Sequence, residues 1–212
     1  MNRKDEIRQE LFPTVMVPKF EHLPICPVNQ SRLLIGSTGL FIESVKPWGR
    51  IVTQLWENHR SVNLPYGDVE EYYEDFFGVL NTIAPIISKE MVPRAAEYAK
   101  KDSEWAGWVV YDGNNFSYMP VEFEATPDHA RVVWPDLPGY SLAADVHSHG
   151  QGRSFFSPDD NKDDSGGVRI CIVLGDYKEV HGHPFFTYKV RFVIEGFFVN
   201  VNHNGEGWFI RK

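Results

Sequence analysis

The sequence predicts an α+β protein: a mixed β-sheet with packed helices, preceded by a small β-rich N-terminal extension. Three observations predict it. Strand-like apolar runs occupy both parts of the chain, helical periodicity is confined to stretches near 68–80 and 89–102, and Pro and Gly punctuate the runs at short spacing. A chain of 212 residues, 42% hydrophobic and 24% charged, can bury a sizeable core. Its length suits one domain with an extension better than two full domains.

In RLLIGSTGLFIESV, two apolar runs flank Ser37 to Gly39, a hairpin-type turn, and KPWGR at 46–50 reads as the next turn before IVTQLW. Asp68 is expected to cap a short acidic helix, DVEEYYEDFFGVL, with aromatics at 72, 73, 76 and 77 at helical spacing. These elements make up the extension, residues 1–81. From 82 the order changes. A short apolar run, TIAPII, precedes a helix near 89–102, in which Met91, Val92, Ala95, Ala96 and Ala99 form one apolar face and Pro93 lies in the first turn. Strands are expected at Gly107–Tyr111, His129–Trp134, Tyr140–His149 and Val168–Leu174, with a long pair between Phe185 and Val201 broken by a bulge or turn at Gly196. This is the second domain, 82–212.

Twenty-one Lys and Arg against twenty-nine Asp and Glu give a formal charge of −8, which repels phosphate backbones, and no basic patch overrides it. Nucleic acid is therefore not an expected partner. The start, MNRKDEIRQELFP, is too charged for a signal peptide, and no apolar run approaches the roughly 18 residues that span a bilayer, so a cytoplasmic protein without membrane contact is expected. Cys26 and Cys171 are far apart and lack CxxC spacing, which supports neither a disulfide framework nor a thiolate zinc site.

The chemistry concentrates in HSHGQGRSFFSPDD, residues 147–160, which follows the strand-like SLAADV. Strand alternation puts His147 and His149 on one face and Ser148 on the other, so two imidazoles share one cavity. Ser157 followed by Pro158 predicts a helix start, with Asp160 in its first turn. Asp160 can then turn back over the histidines, giving two nitrogens and one carboxylate and leaving a fourth position open for water, as at a catalytic zinc. With eight histidines, chance alone supplies about 0.3 HxH pairs, and His181-Gly182-His183 is such a pair. The full spacing, with Ser148, Ser157 and Asp160, falls to about 6 in 100,000 for a template fixed in advance.

HSH, seven residues, then SxxD resembles the JAMM (MPN+, JAB) metalloprotease family over roughly residues 83–200. That resemblance implies a cytidine-deaminase-like fold and a bound Zn²⁺ held by His147, His149 and Asp160. The family's upstream Glu is matched by Glu104 in the E-x-x-G context Glu104-Trp105-Ala106-Gly107, which implies Glu104 as general base and acid and Ser157 as donor to an oxyanion. The family commonly has Pro after the second His, where this chain has Gly150 opening a GQG loop. GLFIESVKPW and HSHGQGRSFFSPDD also resemble the A family of bacterial PRTRC cassettes, which encode ThiF-like and ubiquitin-like components.

The resemblance thus implies an isopeptidase or peptidase acting at the C-terminal tail of a ubiquitin-like, β-grasp protein or its conjugate, with a ThiF-like activating enzyme in the same system. Two rivals stand beside it: a non-catalytic MPN-like scaffold in a plasmid-maintenance or conjugation assembly, and a metal-dependent hydrolase of another small amide or carrier. Plainer readings also exist for single residues. Asp160 suits any helix N-terminus; Asp159, Asp163 and Asp164 either compete for metal or solvate the helix; His181 and His183 sit in a polar turn, and with His203 would form a second metal site only if the three converged. Trp105 and Trp108 flank the site and can exclude water from it.

Overall fold

The computed structural model describes residues 2–126, 129–133 and 136–210. The chain divides into two units, Met1–Val79 and Leu80–Lys212. Each is organised by its own sheet.

The first unit opens on a helix that the pattern did not announce, α1 (Arg3–Leu11), whose sequence RKDEIRQEL carries no apolar stripe to give it away. Strands β1 (Thr14–Met16), β2 (Gln30–Gly36), β3 (Gly39–Lys46) and β4 (Gly49–Glu57) then form a sheet in sequence order, β1 parallel to β2 and the rest antiparallel. Both expected hairpin turns are present between these strands. Val17, Leu34, Phe41 and Val52 form the apolar centre, with Val69 and Tyr72 against it. Glu43 is buried on β3, and Arg32 and Arg50 each approach one of its oxygens at 2.6 Å, so the carboxylate is paired rather than stranded.

The expected helix at 68–80 begins later. Tyr72 exchanges both main-chain hydrogen bonds with Val52 at 2.9 Å, an isolated bridge to β4 that keeps Tyr72 out of a helix. The helix α2 (Glu74–Ile86) starts only after this bridge, and Asp68 is not its cap but accepts a hydrogen bond from the Ser37 hydroxyl. Of the four aromatics, only Phe76 and Phe77 are helical.

The run TIAPII is also helical. A π-type turn, Ile87–Met91, separates α2 from α3 (Val92–Ala99) and lies between Pro85 and Pro93, neither of which can donate to the preceding turn. On this continuous helical stretch Met91, Ala95, Ala96 and Ala99 are buried, as their spacing predicts.

The second unit holds strands β5 (Trp105–Tyr111), β6 (Phe116–Met119), β7 (Phe123–Thr126), β8 (His129–Val132), β9 (Ser141–Ser148), β10 (Val168–Val180), β11 (His183–Ile194), β12 (Phe197–His203) and β13 (Trp208–Ile210), with helix α4 (Pro158–Asp163) between β9 and β10. Seven of them form one sheet in the order β13-β12-β11-β10-β9-β5-β6. Only β9 and β10 run parallel, so the sheet is mixed and the architecture is α+β. The α3 helix packs on β5, β9 and β11.

β7 and β8 pair apart from this sheet, and Trp134, the expected end of the β8 strand, lies outside the described residues. β6, β7 and β13 are too short to show a period and were not expected. β10 runs past Leu174 to a turn at His181 and Gly182, both with positive φ (52° and 79°). Glu195 and Gly196, at 49° and 87°, likewise make a turn rather than a bulge. No helix among the described residues is long and apolar enough to cross a membrane. Both cysteines are buried free thiols.

Candidate metal centre

The site grows from the end of β9. Its Ala144, Val146 and Ser148 are buried on one face, while His147 and His149 point to the other with 17% and 10% of their side chains exposed. The antiparallel neighbour β5 pairs Ala106 with His147, leaving a small side chain beside the imidazole. Glu104 immediately precedes β5; it is 7% exposed and its charge acts on His147. Trp108 pairs with Asp145 on that face, whereas Trp105 pairs with Ser148 and looks the other way, towards Tyr118, so Trp105 does not screen the histidines.

The turn after β9 is tight. Gly150 has φ +55°, a conformation closed to proline, which accounts for Gly where the JAMM pattern has Pro. β10 holds the turn: Asp176 donates to the Gly152 carbonyl at 2.6 Å and Tyr177 to the Gly150 carbonyl at 3.0 Å. Gly175 permits the approach, because a Cβ there would lie 2.3 Å from the Ser154 nitrogen. The turn in turn orients His149. His149 Nδ1 lies 3.0 Å from the Arg153 carbonyl, which can only accept, so the proton is on Nδ1 and the Nε2 lone pair faces the cavity. The Phe155 ring meets His149 edge-on at 4.9 Å.

The third group comes from α4. Ser157 caps it by accepting from Asp160 N at 3.1 Å, while the Asp160 carboxylate accepts from Ser157 N at 2.5 Å, a complete capping box with Pro158 in the first turn. This cap fixes Asp160 over β9. Its oxygens lie 3.2 Å from His147 Nε2 and 3.8 Å from His149 Nε2. Two ligands on a tetrahedral zinc stand about 3.3 Å apart, so the spacing suits a small divalent ion. Ligand atoms of all three residues lie within 4.8 Å of one another, and they are the only such group of three or more His, Cys, Asp or Glu among the described residues.

A second observation fits a cation. His147 Nε2 is buried and, although near Asp160, makes no hydrogen bond among the described residues. A donor set of two imidazole nitrogens and one carboxylate oxygen is the chemistry zinc accepts. The electrostatics agree. Burial would push the His147 imidazole down, but Asp160, Asp145 and Glu104 outweigh it and hold it above its ordinary value. Burial would raise Asp160, yet His147 and the Ser157 backbone and hydroxyl hold it well below the usual carboxylate range. His149 is pushed down by burial and by His147. The pocket therefore favours positive charge at His147, beside Asp160.

Other residues depart from expectation. His181 is in the β10–β11 turn, His183 opens β11 and His203 packs edge-on against Trp208 at 4.7 Å, so these three do not converge. Asp159 is exposed and pairs with Lys162 at 2.6 Å. Asp164, expected to compete for metal or solvate the helix, instead is buried and binds Arg169 and Arg191 at 2.6 and 2.5 Å. Asp145 was not singled out. It shares the face of His147, and burial pushes its carboxyl up to about 6, against the pull of Arg169 and His147. A charged residue inside an apolar strand, as in AADVHSH, VRICIV and KVRFVI, is the signal that such partners exist.

Residues 88–188 match prokaryotic homologs of the JAB domain. The matched stretch contains His147, His149, Asp160, Ser157 and Glu104, and together with the mixed α+β sheet it supports the JAB family for this part of the chain. The JAB family includes metalloproteases, and the His-His-Asp group is in place for a metal ion. Residues 2–74 match a domain of unknown function, DUF2016. No curated protein matches the chain.

Proposed function

We propose that the second unit is a zinc-dependent isopeptidase or peptidase of JAMM type that cuts an amide bond at the C-terminal tail of a ubiquitin-like protein or its conjugate. The observation that carries the reading is the convergence of His147, His149 and Asp160 beside a buried Glu104, with His147 Nε2 left without a hydrogen bond. Zinc held by His147, His149 and Asp160 would supply a Lewis acid that polarises a carbonyl and makes water easier to deprotonate.

The chain's own residues do the rest. His147 gives up the proton that the nearby Asp160 carboxylate favours on it. Burial and the neighbouring His147 hold His149 towards its neutral form, and the Arg153 carbonyl keeps its proton on Nδ1. Glu104 takes a proton from water at its carboxylate and returns it to the departing amine. The Ser157 hydroxyl accepts the Asp160 N–H at the helix cap and donates its own proton to the developing oxyanion, since one hydroxyl can do both. An extended tail reaches the site by pairing with an exposed strand, for which β6, at the edge of the sheet beside β5, is suited.

The resemblance to the PRTRC A family supports a bacterial, cytoplasmic setting with a β-grasp tag and a ThiF-like activating enzyme. Purified protein is expected to hold about one zinc per chain and to release a tag from a β-grasp fusion. Glu104→Gln keeps the zinc and loses cleavage; His147→Ala loses both. Cleavage by Glu104→Gln at the parent rate would refute the assignment of the base, and zinc binding without cleavage of any tag or small amide would favour the scaffold.

A further inference from the structure

We infer that Arg191 is a positioning residue for the metal centre: it sets the rotation of α4, and so the place of the Asp160 carboxylate, from β11, two strands from β9 in the sheet order. This rests on the metal reading given above. A helix of six residues does not hold itself, and α4 has no buried residue with which to anchor by apolar packing. Its attachment must come from polar contacts. The cap at Ser157 ties Asp160 to the residue before the helix but leaves the helix free to turn as a body.

Arg191 supplies the missing constraint. From β11 its guanidinium donates to Asp164 Oδ2 at 2.5 Å, to Asn161 Oδ1 at 2.5 Å and to the Asp160 main-chain carbonyl at 3.2 Å. Three residues of α4 and its C-cap, spaced over one turn, are thus gripped by one rigid planar fork. The fork is itself fixed, with Phe156 at 3.9 Å and Phe198 at 4.2 Å from its central carbon. Arg169 differs in what it reaches. It pairs with Asp164 and with the Asp163 and Gly166 carbonyls, all at the far end of α4, and keeps the Asp164 charge partly compensated if Arg191 is removed.

Arg191→Met is therefore expected to fold and to weaken zinc binding by about 10- to 100-fold, the range seen when groups that orient metal ligands are removed. Zinc affinity is read by competition with a chromogenic chelator, and stability by thermal melting of the zinc-free protein. Ile194→Ala is the control: it empties a fully buried site on the opposite face of the same strand. It should lower the melting temperature at least as much yet change zinc affinity by less than about threefold. Asn161→Ala, at an exposed position, should melt like the parent and bind zinc about threefold to tenfold more weakly. If Arg191→Met does not fold, Asn161→Ala decides alone.

Parent-like zinc affinity in Arg191→Met or Asn161→Ala, or an equal loss in Ile194→Ala, would overturn the inference. A parent protein that takes no zinc at all would sink the metal reading first and this inference with it.

Discussion

Gly175→Ala tests how the turn after β9 supports the site. The added Cβ would sit 2.3 Å from Ser154 N, 2.5 Å from Arg153 C and 2.7 Å from Gly152 O, all backbone atoms that cannot swing aside. Restoring ordinary contact requires the 152–154 segment to move by about 1 Å. That movement strains the Asp176-to-Gly152 and Tyr177-to-Gly150 hydrogen bonds and displaces the Arg153 carbonyl that holds His149 Nδ1. Overpacking costs about 1–3 kcal/mol and each weakened hydrogen bond about 1 kcal/mol, so roughly 2–4 kcal/mol is expected in all. For a chain of this size that lowers the melting temperature by about 5–15 °C. Because His149 loses its orienting acceptor, zinc binding should weaken by about 10-fold or more. Scanning calorimetry and chelator competition read the two effects. Parent-like melting together with parent-like zinc affinity would show that the turn does not lie on β10 as described.

Three more outcomes follow from the same geometry. Ser157→Ala removes the cap and should cost about 1 kcal/mol, or about 2–4 °C in melting temperature, with Ser157→Thr restoring most of it. Removing zinc with a strong chelator should lower stability by about 4 kcal/mol if free zinc had stood at a thousand times its dissociation constant, and a melting curve unmoved by chelation would contradict a bound ion. The pH dependence of the zinc-free protein has two signs. Raised His147 contributes stability that is fully present below its ordinary 6.5 and lost as pH rises through its folded value; depressed Asp160 contributes stability present above 3.8 and lost as pH falls through its own lower value. Their joint contribution is greatest in mildly acidic solution. Zinc must displace the His147 proton, so its affinity should fall, with proton release per zinc rising, as pH drops below that raised value. Calorimetry in buffers of different ionisation enthalpy measures the released proton, and none released at pH 6 would contradict a raised His147.

What could be seen in the sequence depended on how far apart the cooperating residues lie. His147 and His149 share a face through the period of two that any strand imposes, and Ser157 reaches Asp160 through the three-residue offset of a helix cap. Both relations are local, so their spacing was legible. The two hairpins of the first unit were legible for the same reason. Asp68 misled because the aromatic spacing after it resembles a helix, whereas Tyr72 is held extended by Val52, twenty residues earlier, and only the sheet brings them together. Asp164 was misread in the same way, since the arginine that donates twice to its Oδ2 is 27 residues further on and arrives through the β10–β11 register, which pairs Arg191 with Cys171.

This division has a physical consequence for the site itself. A ligand set written in local spacing can survive in a chain whose sheet no longer presents Arg191 to α4, and Asp160 would then sit on a short helix held only at its far end, by Arg169. The HSH and SxxD spacing therefore states which atoms can bind a cation, while the Asp164–Arg191 contact states how tightly they are held at the required separation. Two chains with the same ligand spacing but different residues at 161, 164 and 191 should differ in zinc affinity before they differ in fold.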